Sequence, residues 1–94
     1  MEVAWKLFAD LAEHAGDRTV AMELSPGDTV EDALEALLSD RPALEARVLE
    51  DDGSLRSQIN VLHNGTDIRS EPAGLKTELE GGDELALFPP VSGG

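Results

Sequence analysis

Apolar and polar residues alternate at the start of the chain: in Glu2-Val3-Ala4-Trp5-Lys6-Leu7-Phe8, the side chains of Val3, Trp5 and Leu7 share one face and Lys6 lies opposite. A period of two predicts a strand. Ala9-Asp10-Leu11-Ala12-Glu13-His14-Ala15 then reads as a short helical turn closed by Gly16. Alternation returns in Thr19-Val20-Ala21-Met22-Glu23-Leu24, with Val20, Met22 and Leu24 inward. So short a spacing after the first strand predicts antiparallel pairing, and Ser25-Pro26-Gly27-Asp28 reads as a turn.

The period then lengthens. Val30, Ala33, Leu34, Leu37 and Leu38 fall at i, i+3, i+4, i+7 and i+8, one apolar stripe along a helix. Thr29 is placed as its cap, Asp32 three residues on completes a capping-box variant, and Glu31 and Asp32 complement the helix dipole. Pro42 stands at the first position of a second helical segment over 42–49, with Leu44 and Val48 on one face. Glu50-Asp51-Asp52-Gly53 is an acidic turn that lacks the alternating ligands and distal glutamate of a calcium loop.

Ile59-Asn60-Val61-Leu62-His63 is a short strand, and Asn64-Gly65 is a strong hairpin signal that returns Thr66-Asp67-Ile68 antiparallel beside it. Both histidines take the ordinary reading: His14 as a surface residue at a helix end, His63 as a strand-edge residue beside the turn. Residues 70–74 are loop, and 75–79 is open between a short strand and a turn that drops its leucines inward. After Glu80-Gly81-Gly82-Asp83 the last strand carries Leu85 and Leu87 on one face and Ala86 and Phe88 on the other. One amphipathic helix crossing from a first hairpin to later strands requires a mixed sheet with the helix on one face. The last strand then lies centrally and parallel to the first. That is an α+β, β-grasp arrangement, with a domain over 1–90 and a tail over 91–94.

Charge narrows the function. The 94 residues carry 20 acidic against 7 basic side chains, a net −13. No basic stripe is available to neutralise phosphates, so nucleic acid and anionic membranes are excluded as partners. An acidic surface with only Lys6 and Lys76 as lysines resembles the proteins of salt-accumulating halophiles. The absence of cysteine excludes disulfides, thiolate metal sites and thiol nucleophiles on this chain. No leader-like segment opens the chain and no apolar run reaches membrane-span length, so a soluble, cytoplasmic protein is expected. No serine-hydrolase elbow or phosphate-cradling glycine loop occurs, and neither a metal site nor a bound cofactor is expected. An enzyme is not expected either.

What remains is the C-terminus. Pro89-Pro90 stops the last strand and projects Val91-Ser92-Gly93-Gly94 as an extended segment. Two glycines before a free carboxylate suit entry into a narrow channel of another protein, where any Cβ would clash. A frayed end is the alternative reading of the same residues.

Taken in order, Trp5-Lys6-Leu7-Phe8-Ala9-Asp10-Leu11-Ala12-Glu13, the helix over 29–38, Pro42-Ala43-Leu44, Ile59-Asn60-Val61-Leu62-His63-Asn64-Gly65, and the run from Gly82-Asp83-Glu84 through Phe88-Pro89-Pro90-Val91-Ser92-Gly93-Gly94 resemble the ubiquitin-like small archaeal modifier proteins of haloarchaea. They also resemble the small sulfur-carrier subunit of molybdopterin synthase. The likeness covers nearly the whole chain and departs from the shortest members over 69–79, where this loop is longer. The resemblance implies a substrate and carrier, adenylated at its C-terminal glycine by a separate, ATP-using enzyme of the ubiquitin-activating type. Two fates are implied: an isopeptide bond to a target-protein lysine, or a thiocarboxylate that donates sulfur for molybdopterin within a complex with the large synthase subunit. Gly93 and Gly94 would carry the chemistry, and Phe88, Pro89, Pro90 and Val91 would support docking. Lys6 and Lys76 are either acceptors of modification or plain surface lysines. A dedicated synthase subunit without conjugation and a non-covalent binding module are the alternatives.

Overall fold

A computed structural model describes residues 1–90. Five strands form one mixed sheet: β1 (Glu2–Leu7), β2 (Thr19–Glu23), β3 (Asn60–His63), β4 (Thr66–Asp67) and β5 (Glu84–Phe88), in the spatial order β2-β1-β5-β3-β4. β5 is central. It runs parallel to β1, with Trp5 opposite Leu85, and antiparallel to β3, with Val61 opposite Leu87. The first and last strands therefore meet as the strand order predicts, and the fold is a β-grasp.

Three helices accompany the sheet: α1 (Asp10–Ala15), α2 (Val30–Asp40) and α3 (Glu45–Val48). The α2 stripe is fully used, since Val30, Ala33, Leu34, Leu37 and Leu38 are all buried. They pack into one core with Val3, Trp5, Leu7, Val61, Leu85 and Leu87 of the sheet. The capping box forms as expected: Thr29 Oγ1 accepts from the Asp32 amide at 3.3 Å, and Asp32 Oδ2 accepts from the Thr29 amide at 2.9 Å. Trp5 is wholly buried, and its indole N–H donates to the Ala33 carbonyl at 3.1 Å, tying the sheet to α2 by a polar bond inside the core. A buried indole needs such a partner.

Pro42–Leu44 forms a 3-10 turn that leads into α3, and together they bury Leu44 and Val48. The open reading of 75–79 resolves as a turn. Gly74–Lys76 is 3-10, Leu79 enters the core, and the Leu79 amide donates to the Asp28 carbonyl at 2.9 Å, backing the start of α2. The hairpin needs a correction. Asn64 and Gly65 take φ of 49° and 87°, the left-handed pair the turn demands, but β4 ends at Asp67 and Ile68 begins a 3-10 turn. The Asp67 carboxylate accepts from the Arg69 amide at 2.8 Å and bends the chain there, dropping Ile68 into the core.

Candidate functional site

The end of β5 is where the expected docking residues gather. Phe88 is the last residue of β5 and stacks on Phe8, which follows β1. Phe8 is the one large apolar side chain left well exposed among the described residues, at 38%. Parallel pairing of β1 with β5 brings the ends of both strands to the same edge of the sheet, which is why residues eighty apart in sequence meet. Pro89 and Pro90 share with Leu11, Ile59, Arg47 and Arg56 the lining of a groove of about 320 Å³. The other expected residues, Val91, Gly93 and Gly94, lie outside the described residues.

The sheet face away from α2 extends this surface. Lys6, Ala86 and Leu62 are register partners across β1, β5 and β3, and Asn60 is opposite Phe88. Ala4, opposite Ala21 and Glu84, continues the same face. It is a shallow, small-residue surface that ends at the two phenylalanines.

The two lysines sit in different settings. Lys6 Nζ lies 3.1 Å from Glu84 Oε2, both half-exposed on the open face. Lys76 pairs with Glu31 beside α2, and the hydrogen bond and charge of that carboxylate hold its ammonium above the ordinary lysine range. A raised lysine is the poorer nucleophile.

The other end of β5 is fastened by a cluster with no signal in the spacing of the sequence. Asp83, just before β5, accepts from His63 Nε2 at 2.8 Å, Asn64 Nδ2 at 3.0 Å and the Glu80 amide at 2.8 Å. Asn64 Oδ1 accepts from the Glu84 amide at 2.9 Å, and its own amide donates to the Glu84 carbonyl. His63 is thus no plain strand-edge residue: its side chain is 12% exposed and joins the hairpin turn to the root of β5. Burial pushes the Asp83 carboxyl up, but the hydrogen bonds from His63, Glu80 and Asn64 and the His63 charge outweigh it and hold the group below its ordinary value.

A His–carboxylate pair is two parts of a hydrolytic triad. The nitrogen that would need a nucleophile, Nδ1, faces Glu71 at 3.9 Å, and no hydroxyl bonds the imidazole among the described residues. The acidic turn is likewise satisfied from within, because Asp52 takes the Ser54 amide and hydroxyl while Glu50 pairs with Arg56. The described residues hold no group of three or more His, Cys, Asp or Glu suited to a metal ion. His14 is exposed at the end of α1. None of the described helices is long and apolar enough to cross a membrane.

Comparison with known proteins places this geometry. A family model for the ThiS family matches residues 5–94. Small archaeal modifier protein 1 of Haloferax volcanii is 59% identical over 90 residues, covering 96% of this chain and 98% of the relative. A crystal structure of that Haloferax volcanii protein superposes with a TM-score of 0.91 at 55% identity, over all of both chains. A crystal structure of the BexX/CysO complex of Amycolatopsis orientalis matches with a TM-score of 0.78 at 30% identity, over 98% of this chain and 99% of that one.

Proposed function

The chain belongs to the ThiS family, and from that membership we propose that it is a ubiquitin-like modifier and sulfur carrier whose C-terminal Gly94 is the reacting group. It is the substrate of its partners' chemistry and not itself the catalyst. The single observation that carries this reading is the join between core and tail: β5, held between β1 and β3, delivers Phe88 to Phe8 and ends in Pro89-Pro90. The core thereby sets the position of Phe88, two residues before the last described residue, Pro90.

The chemistry follows from the inertness of a carboxylate. In the proposed first step, the Gly94 carboxylate attacks the α-phosphorus of ATP on a separate activating enzyme, forming an acyl-adenylate and releasing pyrophosphate. A lysine amine of a target protein then displaces AMP and loses a proton, leaving an isopeptide bond. In the other fate a sulfide-level sulfur donor displaces AMP, leaving a thiocarboxylate; its sulfur passes to the molybdopterin precursor beside the large synthase subunit, and water returns the acyl group to the Gly94 carboxylate. Gly93 and Gly94 supply access, since neither has a Cβ to block the enzyme channel. Phe8, Leu62, Ala86 and Phe88, with Pro89, Pro90 and Val91, form the docking surface. That CysO is seen in complex with BexX supports a partner enzyme for the present chain. Both candidate acceptor lysines, Lys6 and Lys76, are exposed, and each is ion-paired, to Glu84 and Glu31 respectively.

Intact-mass analysis after incubation with ATP and the activating enzyme tests the proposal. Adenylate or its adducts should appear on the wild-type chain and vanish on deletion of Gly93-Gly94, with the fold unchanged. Conjugates that survive the deletion would overturn it. A second reading, a dedicated molybdopterin-synthase subunit, predicts a thiocarboxylate in purified material without any lysine-linked Gly-Gly remnant.

A further inference from the structure

Beside the phenylalanine pair, on the far side of β1 from β5, an open groove of about 630 Å³ runs between the end of β1, α1 and the start of β2. Three observations converge in it. Phe8 lines it and is the large apolar side chain left exposed. Ala9 lines it with φ 54° and ψ −132°, a conformation that glycine adopts freely and alanine does not. Arg18 lines it and is the one lysine or arginine that, among the described residues, has neither a carboxylate nor a carbonyl partner. Lys6, Arg41, Arg47, Arg56 and Lys76 are ion-paired, and Arg69 donates to backbone carbonyls of residues 56, 57 and 59.

An uncommitted arginine is unexpected on a chain with 20 acidic side chains to 7 basic ones. Asp10 and Glu13 also line the groove, but Asp10 is taken by Arg47 and Glu13 makes no ion pair with Arg18. Lys6, paired with Glu84, adds a second positive charge to its wall. The groove is thus electrically balanced on a body that is otherwise strongly negative, so an anionic group meets less repulsion there than over the rest of that surface. Guanidinium is also the cation best shaped to take a carboxylate in two parallel hydrogen bonds.

We propose that this groove receives a carboxylate-bearing loop of the enzyme that activates the tail, with Arg18 binding the carboxylate while an apolar neighbour on the same loop covers Phe8. This rests on the modifier reading above and adds to it a specificity determinant remote from the glycines. Arg18 selects partners by charge, because it is the cation of this wall that no carboxylate of the chain neutralises, and a partner presenting a cation beside it would meet that charge directly. The strained Ala9 backbone turns the chain sharply after Phe8 and leaves that ring facing the groove.

The test uses the full-length chain and a purified ATP-dependent activating enzyme, with equilibrium binding measured without ATP and adenylation measured by pyrophosphate exchange. Arg18→Glu should weaken binding and raise KM by at least about 30-fold with kcat unchanged, Arg18→Lys should recover part of the loss, and thermal melting should show both variants folded. Rising salt should weaken the wild-type complex more steeply than the Arg18→Glu complex. Equal affinity of wild type and Arg18→Glu would overturn the groove while leaving the modifier reading intact. Binding that depends on Arg18 without any adenylation would keep the groove and overturn the reading. A wild-type chain that binds no activating enzyme overturns both.

Discussion

The rings of Phe8 and Phe88 stack with centroids 4.1 Å apart and planes 12° from parallel. The pair clasps the ends of two parallel strands whose only covalent connection is the rest of the chain. Stacked aromatic pairs add about 0.5–1.5 kcal/mol beyond the area they cover. A double-mutant cycle of Phe8→Ala and Phe88→Ala, followed by denaturant unfolding, should give a coupling of about 1 kcal/mol. The Phe88→Ala chain should stay folded but react more slowly with the activating enzyme. Strictly additive losses would show that the stacking has no energetic content.

Asp83 holds the opposite end of β5. Asp83→Ala removes acceptors for His63, Asn64 and the Glu80 amide together, and should lower unfolding free energy by about 2–3 kcal/mol. The pH dependence has a defined sign. The carboxyl is held below its ordinary value in the folded chain, so as pH falls the unfolded chain takes up the proton first. The Asp83 contribution is therefore full above the unfolded carboxyl value near about 3.9 and is lost as pH drops through the lower folded value. Denaturation curves collected down to pH 2 should show a shallower acid decline for Asp83→Asn than for wild type.

Ala9 sits at φ 54°, where a Cβ is strained. Ala9→Gly releases that strain and should raise stability by about 1 kcal/mol even after the added chain entropy of glycine. Thermal unfolding of the two chains checks this, and a lower melting temperature for the glycine variant would contradict the strain.

Repulsion among charges that sum to −13 should make the chain more stable in molar salt than in dilute buffer. Screening shortens to about 3 Å at 1 M, so the many distant like charges cease to interact, a gain that exceeds the weakening of the exposed ion pairs at 2.8–3.1 Å. Melting temperatures measured from 0.05 to 3 M potassium chloride should rise, and a flat profile would argue against halophilic adaptation.

Much of this architecture was legible from periodicity because each element has a single buried face. Val3, Trp5 and Leu7, the α2 stripe from Val30 to Leu38, and Leu85 with Leu87 all lie where alternation or a 3.6 period puts them. The short 3-10 turns were not legible, since their geometry follows from local polar bonds such as Asp67 to the Arg69 amide. The Asp83–His63 contact spans twenty residues and carries no spacing signal, so His63 read as an isolated histidine. At the tail root, Pro89-Pro90 marked the site but not its walls. Phe8 is brought to Phe88 by the parallel pairing of β1 with β5, while Ala9 and Arg18 line a second groove across β1, and alanine gives no hint of a left-handed φ. The glycines proposed to react follow from composition and resemblance, and lie beyond the residues the structure describes.

The buried indole of Trp5 makes the protein its own optical sensor. With one tryptophan and no tyrosine in the chain, ultraviolet emission comes from a single ring, wholly shielded from water and bonded to α2 through the Ala33 carbonyl. Emission should be blue-shifted in the native state and move to the red only when the helix leaves the sheet. Chemistry at Gly94 should leave its colour untouched. A single fluorescence spectrum can thus report whether the body is intact while mass spectrometry reports what has become of its terminus.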